Sequence, residues 1–203
     1  MLSTNLSRTS WVGLVSAVFL GALAPGASAA TIIRDPNPPR YKLEIEPHLT
    51  AQYFADTYGG HGLGPGVRFA IPIVRPGFIK KLNNSVAISF GGDFIYLKPY
   101  SGRYCDTTGC YEYGGSGFWG IYSPVTMQWN FWLTDKWSVF GEPGVVLRST
   151  SGDACDRRWG CRETDSALWW AFYAGARYHF SDSMSLTMRA GYPTGISVGL
   201  SIF

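Results

Sequence analysis

Charged side chains in this 203-residue chain recur at alternate positions of its apolar stretches. Lys42, Glu44, Glu46, His48, Arg68, Asp93, Glu142, Arg148, Arg177, His179 and Arg189 share one parity. Among them four carboxylates (Glu44, Glu46, Asp93, Glu142) face five bases (Lys42, Arg68, Arg148, Arg177, Arg189). Opposed charges at this spacing could pass protons or ions along a path, line a gated pore, or neutralise one another as a structural network. The network is the expected reading, because removing one partner of a buried ion pair leaves a bare charge at about 3–5 kcal/mol.

The four cysteines form two local pairs, Cys105 with Cys110 and Cys155 with Cys161. Three connectivities are open. Pairing within each segment closes a loop of only about six or seven residues, worth roughly 2 kcal/mol of chain entropy. Bridging between the two segments is the alternative. A zinc site would need CxxC spacing and partner histidines, which the sequence lacks, so no metal or cofactor is expected. Around the cysteines lie Tyr104, Tyr111, Tyr113, Arg157, Arg158, Trp159 and Arg162, residue types that dominate binding hot spots. The bland reading is that exposed loops are polar anyway and that aromatics near strand ends form an interfacial girdle.

Catalysis has thinner support. His179 precedes Ser181 at H-x-S spacing, His48 lies in the first strand, and His61 has Asp56 nearby. A base without an adjacent nucleophile and orienting acid is weak evidence for covalent chemistry.

The elements that position these residues follow from the opposite parity, which carries no charge. It reads Leu43, Ile45, Leu49, Tyr53; Val67, Phe69, Ile71, Ile73; Val86, Ile88, Phe90, Phe94, Tyr96; Val125, Met127, Trp129, Phe131, Leu133. Trp137, Val139, Val145, Leu147, Leu168, Trp170, Phe172, Leu186, Met188, Val198, Leu200 and Ile202 continue it. Apolar residues outside and charges inside are the pattern of a β-barrel dissolved in lipid. Strands are expected at 41–54, 65–75, 85–97, 119–133, 137–149, 167–180, 184–193 and 195–203, each near the 9–11 residues a tilted membrane strand needs. Thr134–Lys136 and Ser181–Ser183 read as tight turns, whereas 98–118 and 150–167 read as long loops. In bacterial barrels the short turns face the periplasm and the long loops face outward. Pro47, Pro72, Pro124 and Pro143 interrupt strands, so each is expected at a bulge or beyond the hydrocarbon zone.

Bulk composition agrees. Charged residues make up 15% of the chain, aromatics 16%, and glycine numbers 25, which suits a lipid-facing sheet. The net charge of +3 falls by one if Arg8 leaves with a leader, and no Lys/Arg run favours nucleic acid. Arg8, the apolar run Trp11–Leu23 and the Ala27-Ser28-Ala29 site read as a signal peptide over 1–29. Residues 30–40 read as a periplasmic linker and 41–203 as one barrel domain. No apolar run approaches the length of a spanning helix, so any membrane span must be β.

Leader, alternating strands, alternating loop lengths and the terminal Phe203 together resemble the small eight-stranded outer-membrane barrels of the OmpA/OmpX/OmpW type. The resemblance implies an all-β, antiparallel, up-and-down transmembrane barrel with periplasmic termini. It implies outer-membrane lipid and lipopolysaccharide as surroundings and the barrel-assembly machinery as a partner in biogenesis. That machinery reads a C-terminal Phe with alternating apolar residues; Ile196, Val198, Leu200 and Ile202 alternate here, but Phe203 falls on the opposite parity. The expected function is a non-catalytic, structural or adhesive role of a monomer, through disulfide-clipped loops that meet an extracellular partner. A narrow channel or carrier for small solutes is the alternative, and a lipid A-modifying enzyme the third.

Overall fold

The computed structural model describes residues 31–53, 60–99, 102–106, 109–113, 117–156 and 160–203, with side chains described over 31–53, 61–98, 117–150 and 166–203. The segment read as a signal peptide lies outside the described residues. Eight strands close into one antiparallel barrel: β1 (Glu44–Gln52), β2 (Gly60–Val74), β3 (Asn84–Pro99), β6 (Phe118–Trp132), β7 (Trp137–Asp156), β8 (Gly160–Ser181), β9 (Met184–Tyr192) and β10 (Gly195–Ile202). Neighbours in sequence are neighbours in space, and β1 closes on β10 from Ile45 opposite Ile202 to Ala51 opposite Ile196. Closure pairs the first strand of the sheet with the last.

Burial follows the period-2 pattern of the sequence. β6 alternates strictly between inward, buried residues and outward, more exposed ones along its whole length. Leu49 is 61% exposed, Val125 53% and Trp170 64%, while Arg148, Arg177, Glu44, Glu46 and Glu142 are the fully buried large side chains alongside Tyr122 and Tyr173. The barrel is therefore apolar outside, with its charged side chains within.

Two expectations need correction. The segment 98–118, read as a loop, holds a separate two-stranded hairpin, β4 (Gly102–Asp106) with β5 (Gly109–Tyr113). The segment 150–167, also read as a loop, is mostly strand: β7 and β8 stay paired until Asp156 lies opposite Gly160. Loop-like composition did not prevent pairing, because a hairpin already zipped below extends its ladder at little further entropic cost. The prolines leave most of the register intact. Only Pro72 adjoins a register shift, while Pro47 stays opposite Val67, Pro124 opposite Val146 and Pro143 opposite Phe172. A missing N–H removes one ladder bond without moving the parity of its neighbours.

At the end where the termini meet, which we call the turn end, connections are short. The segment before β1 is tied there: Thr31 bridges Thr134, Ile32 N–H donates to Leu133 O, and Asn83 N–H donates to Ile33 O. At the opposite, loop end, β9 and β10 join through a tight turn with Gly195 at φ +88°, a conformation that favours glycine.

Candidate functional site

The lumen is the first candidate, and most of its charged groups are linked by hydrogen bonds and ion pairs. Arg189 on β9 donates from Nη1 to Glu46 Oε1 at 2.6 Å and from Nη2 to Glu46 Oε2 at 2.9 Å. Its Nε is 3.2 Å from Glu142 Oε2. Gln128 donates to Glu142 Oε1 at 2.6 Å, and Asn130 joins Gln128 to Arg177, whose Nη1 donates to Asn130 Oδ1 at 2.7 Å. Arg177 Nη2 is 2.8 Å from Glu44 Oε1. On the other side of the lumen Arg68 donates to Asp93 Oδ2 at 3.0 Å, and Thr50 donates to Asp93 Oδ1 at 2.8 Å. Strand alternation aims these side chains inward; the barrel's curvature brings residues as distant as Glu46 and Arg189 into contact.

His48 belongs to the same set. Its Nδ1 lies 3.1 Å from the Glu46 carbonyl oxygen, and a carbonyl only accepts, so Nδ1 carries a hydrogen. Its Nε2 lies 2.7 Å from Asp93 Oδ1. Both ring nitrogens are committed, leaving none to activate a nucleophile. Gly66 makes the space: a Cβ there would press into the His48 ring and Asp93.

Lys42 departs from the expectation. It is exposed and lies before β1 begins at Glu44, so the parity of the strand does not reach it. It lines instead a cavity of about 760 Å³ at the turn end, with Arg40, Tyr41, Trp132, Lys136, His179 and Phe203 among the other walls. Phe203 explains its own parity there. It packs edge-on against Tyr41 at 4.9 Å and over His179 at 5.6 Å, at the turn end of the barrel. Burial, reinforced by Glu44, holds the Tyr41 hydroxyl well above the usual phenol range, so it is neutral. His179 meets Ser138 Oγ at 2.9 Å, whereas Ser181 pairs with Ser183; the H-x-S spacing builds no nucleophile–base contact.

Toward the loop end the lumen changes character, which the charges of the inward parity do not announce. Ile95, Leu97, Phe118, Tyr122, Val146, Ala171 and Tyr173 form a buried apolar cluster with Trp169 packed against it. All occupy inward positions, so their signal was present: Ile95 and Leu97 continue the parity of Asp93. Arg68 stacks on the Tyr173 ring at 5.0 Å, joining the charged zone to the apolar one. An apolar plug above an ion-pair network fills the interior with side chains, as an eight-stranded barrel permits.

No protein-family model matches the sequence, and no curated protein does. Among solved structures the chain is similar to Ail of Yersinia pestis. The attachment invasion locus protein crystallised with the heparin analogue sucrose octasulfate shares 14% identity, covering 80% of this chain and 95% of that one, at a TM-score of 0.43. A second Ail structure shares 14% identity, covering 79% and 93%, at a TM-score of 0.46.

Beyond the barrel rim stand the hairpins. Cys105 lies directly opposite Cys110 on β4–β5, and Cys155 directly opposite Cys161 on β7–β8. Tyr104 is opposite Tyr111, Tyr113 is opposite Gly102, and Arg162 is opposite Ala154. Arg157, Arg158 and Trp159 lie outside the described residues. β8 pairs with β9 only up to Phe172 opposite Tyr192, because the β9–β10 turn is short. From Gly160 to Ala171, among the described pairings, β8 has β7 on one side and an open edge on the other.

Proposed function

We propose that this chain is a non-catalytic, membrane-spanning barrel of the bacterial outer membrane whose outward hairpins bind an external partner. The observation that carries the reading is the β7–β8 ribbon, which continues past the barrel rim with no partner on the second edge of β8 over Gly160–Ala171 among the described residues. An edge of free N–H and C=O groups is a template for a partner's extended strand, and natural proteins usually cover or blunt such edges. Here the edge stands beyond a barrel whose outer wall is apolar and whose lumen is filled. In that setting the ribbon is an accessible surface of the molecule on the loop side. Lipopolysaccharide and outer-membrane lipid are its surroundings, the barrel-assembly machinery its partner in biogenesis, and a monomer its form. The termini then lie on the periplasmic side.

Both cysteine pairs suit disulfides that clip these tips. Directly opposed residues of an antiparallel pair have Cα atoms about 4.5–5.5 Å apart. That lies inside the span a disulfide accepts, roughly 4.4–6.8 Å. The register supports pairing within each hairpin over cross-bridging.

Replacing residues 151–163 by a short turn tests the reading. Cells displaying the shortened chain should fold the same barrel, seen as an unboiled band of shifted mobility, yet lose attachment to a eukaryotic cell monolayer. Undiminished attachment would sink the adhesive role. The channel alternative has the filled lumen against it, and the lipid A-modifying alternative has the engaged nitrogens of His48 against it.

A further inference from the structure

Residues 75–83 connect β2 to β3 at the turn end and are built unlike the other turns there. Gly77 N–H donates to Asn84 O at 2.8 Å, and Asn84 Nδ2 donates to Ile79 O and to Leu82 O, each at 2.7 Å. Trp129 Nε1, on the outer wall of β6, donates to Asn84 Oδ1 at 3.1 Å. A Cβ at Gly77 would collide with the Asn84 side chain, so the close fold-back needs glycine. The segment therefore lies against the outside of the barrel. It buries Val86 completely, although Val86 shares the parity of the exposed Ile88 and was expected to face lipid.

This held segment presents two kinds of side chain. Phe78 is 60% exposed, with its ring edge-on to Trp129 at 5.9 Å, and Ile79 is 39% exposed. Lys80 and Lys81 follow, both exposed and in no ion pair among the described residues. No acidic residue stands between Arg68 and Asp93 in the sequence, so the segment itself carries only positive charge. Trp129 and Phe131, rings 5.1 Å apart, continue the aromatic surface along the wall. Apolar tip, aromatic platform and paired lysines are the components that seat a protein at a lipid headgroup layer.

We propose that residues 75–83 form an anchor for anionic phospholipid in the leaflet at the turn end. Phe78 and Ile79 enter the acyl boundary, while Lys80 and Lys81 hold the phosphate. The ligand is an amphiphile, because a free anion would leave Phe78 and Ile79 in water. The proposal rests on the membrane reading above and adds the lipid class and the residues that select it.

The full chain, inserted in nanodiscs of mixed phosphatidylcholine and phosphatidylglycerol, would be released for native mass spectrometry and its retained lipids weighed. Wild type should retain phosphatidylglycerol over phosphatidylcholine, and Lys80→Gln/Lys81→Gln should lose that preference by about thirtyfold, since each of the two lysines near an anionic surface contributes about 1 kcal/mol. Lys80→Arg/Lys81→Arg should keep the preference, and Phe78→Ser should lower retention of both lipids. Equal retention of the two lipids by an inserted wild-type barrel would overturn the anchor alone. So would a glutamine variant that behaves like wild type, or lipid stripped by inorganic phosphate, which marks a plain anion site. Failure of the barrel to insert in any nanodisc would overturn the membrane reading and the anchor with it.

Discussion

Arg189 on β9 grips Glu46 on β1 through two hydrogen bonds, at 2.6 and 2.9 Å, with β10 lying between their strands. Two donors of one guanidinium on two oxygens of one carboxylate fix direction as well as distance. The pair thus staples the first and ninth strands across the closure of the barrel, and Glu142 shares the same guanidinium.

Removing that guanidinium should be costly. Arg189→Leu leaves Glu46 and Glu142 buried without it and is expected to destabilise the barrel by about 3–5 kcal/mol. Urea unfolding in lipid vesicles, followed by the mobility of unboiled protein, measures the loss. Combining it with Glu46→Gln should cost less than the sum of the single changes, because the two residues act as one unit.

The outer wall gives a test of the solvent it faces. Leu49 is exposed and lies opposite Val198 on the seam strand β10. If the wall meets hydrocarbon, Leu49→Arg should cost about 2–4 kcal/mol when the site lies near the bilayer midplane. In water the same exposed change would fall within about ±0.5 kcal/mol. Unfolding titrations in vesicles decide between them.

The filled lumen predicts silence. Purified wild type in a planar bilayer should show no stable single-channel conductance, since the ion-pair network and the Ile95–Tyr173 cluster occupy the path in series. Trimming the plug with Ile95→Ala should cost about 2–5 kcal/mol by leaving a cavity, and alone should not open a conducting path. Regular wild-type openings would restore the channel reading.

The hairpin registers predict the thiol state. Alkylation of protein secreted into an oxidising compartment should leave all of Cys105, Cys110, Cys155 and Cys161 unmodified until reductant is added. Peptide mapping should then join Cys105 to Cys110 and Cys155 to Cys161. A peptide joining the two hairpins would contradict the assignment, and Cys155→Ala/Cys161→Ala should lower stability of the tip by no more than about 2 kcal/mol.

The sequence alone determined the wall and the number of barrel strands. Side-chain facing in a strand has a period of two, a local property, so the uncharged parity of Ile45, Leu49, Val125 and Val198 marks the outer surface before any partner strand is known. It also confined Glu46, Asp93, Glu142 and Arg189 to the inside. Which charge meets which was decided only by tertiary structure, because closure and register set the neighbours across a lumen that no local pattern describes. The same is true of Phe203, drawn into the mouth by Tyr41 and His179, and of Val86, covered by a connection folded back on the wall. Lys42 fell outside the network because its strand begins two residues later, and strand ends depend on pairing, not on composition. The reach of β7 and β8 beyond the rim, and the edge it leaves open, likewise belong to the pairing: a short β9–β10 turn on one side and a long ribbon on the other.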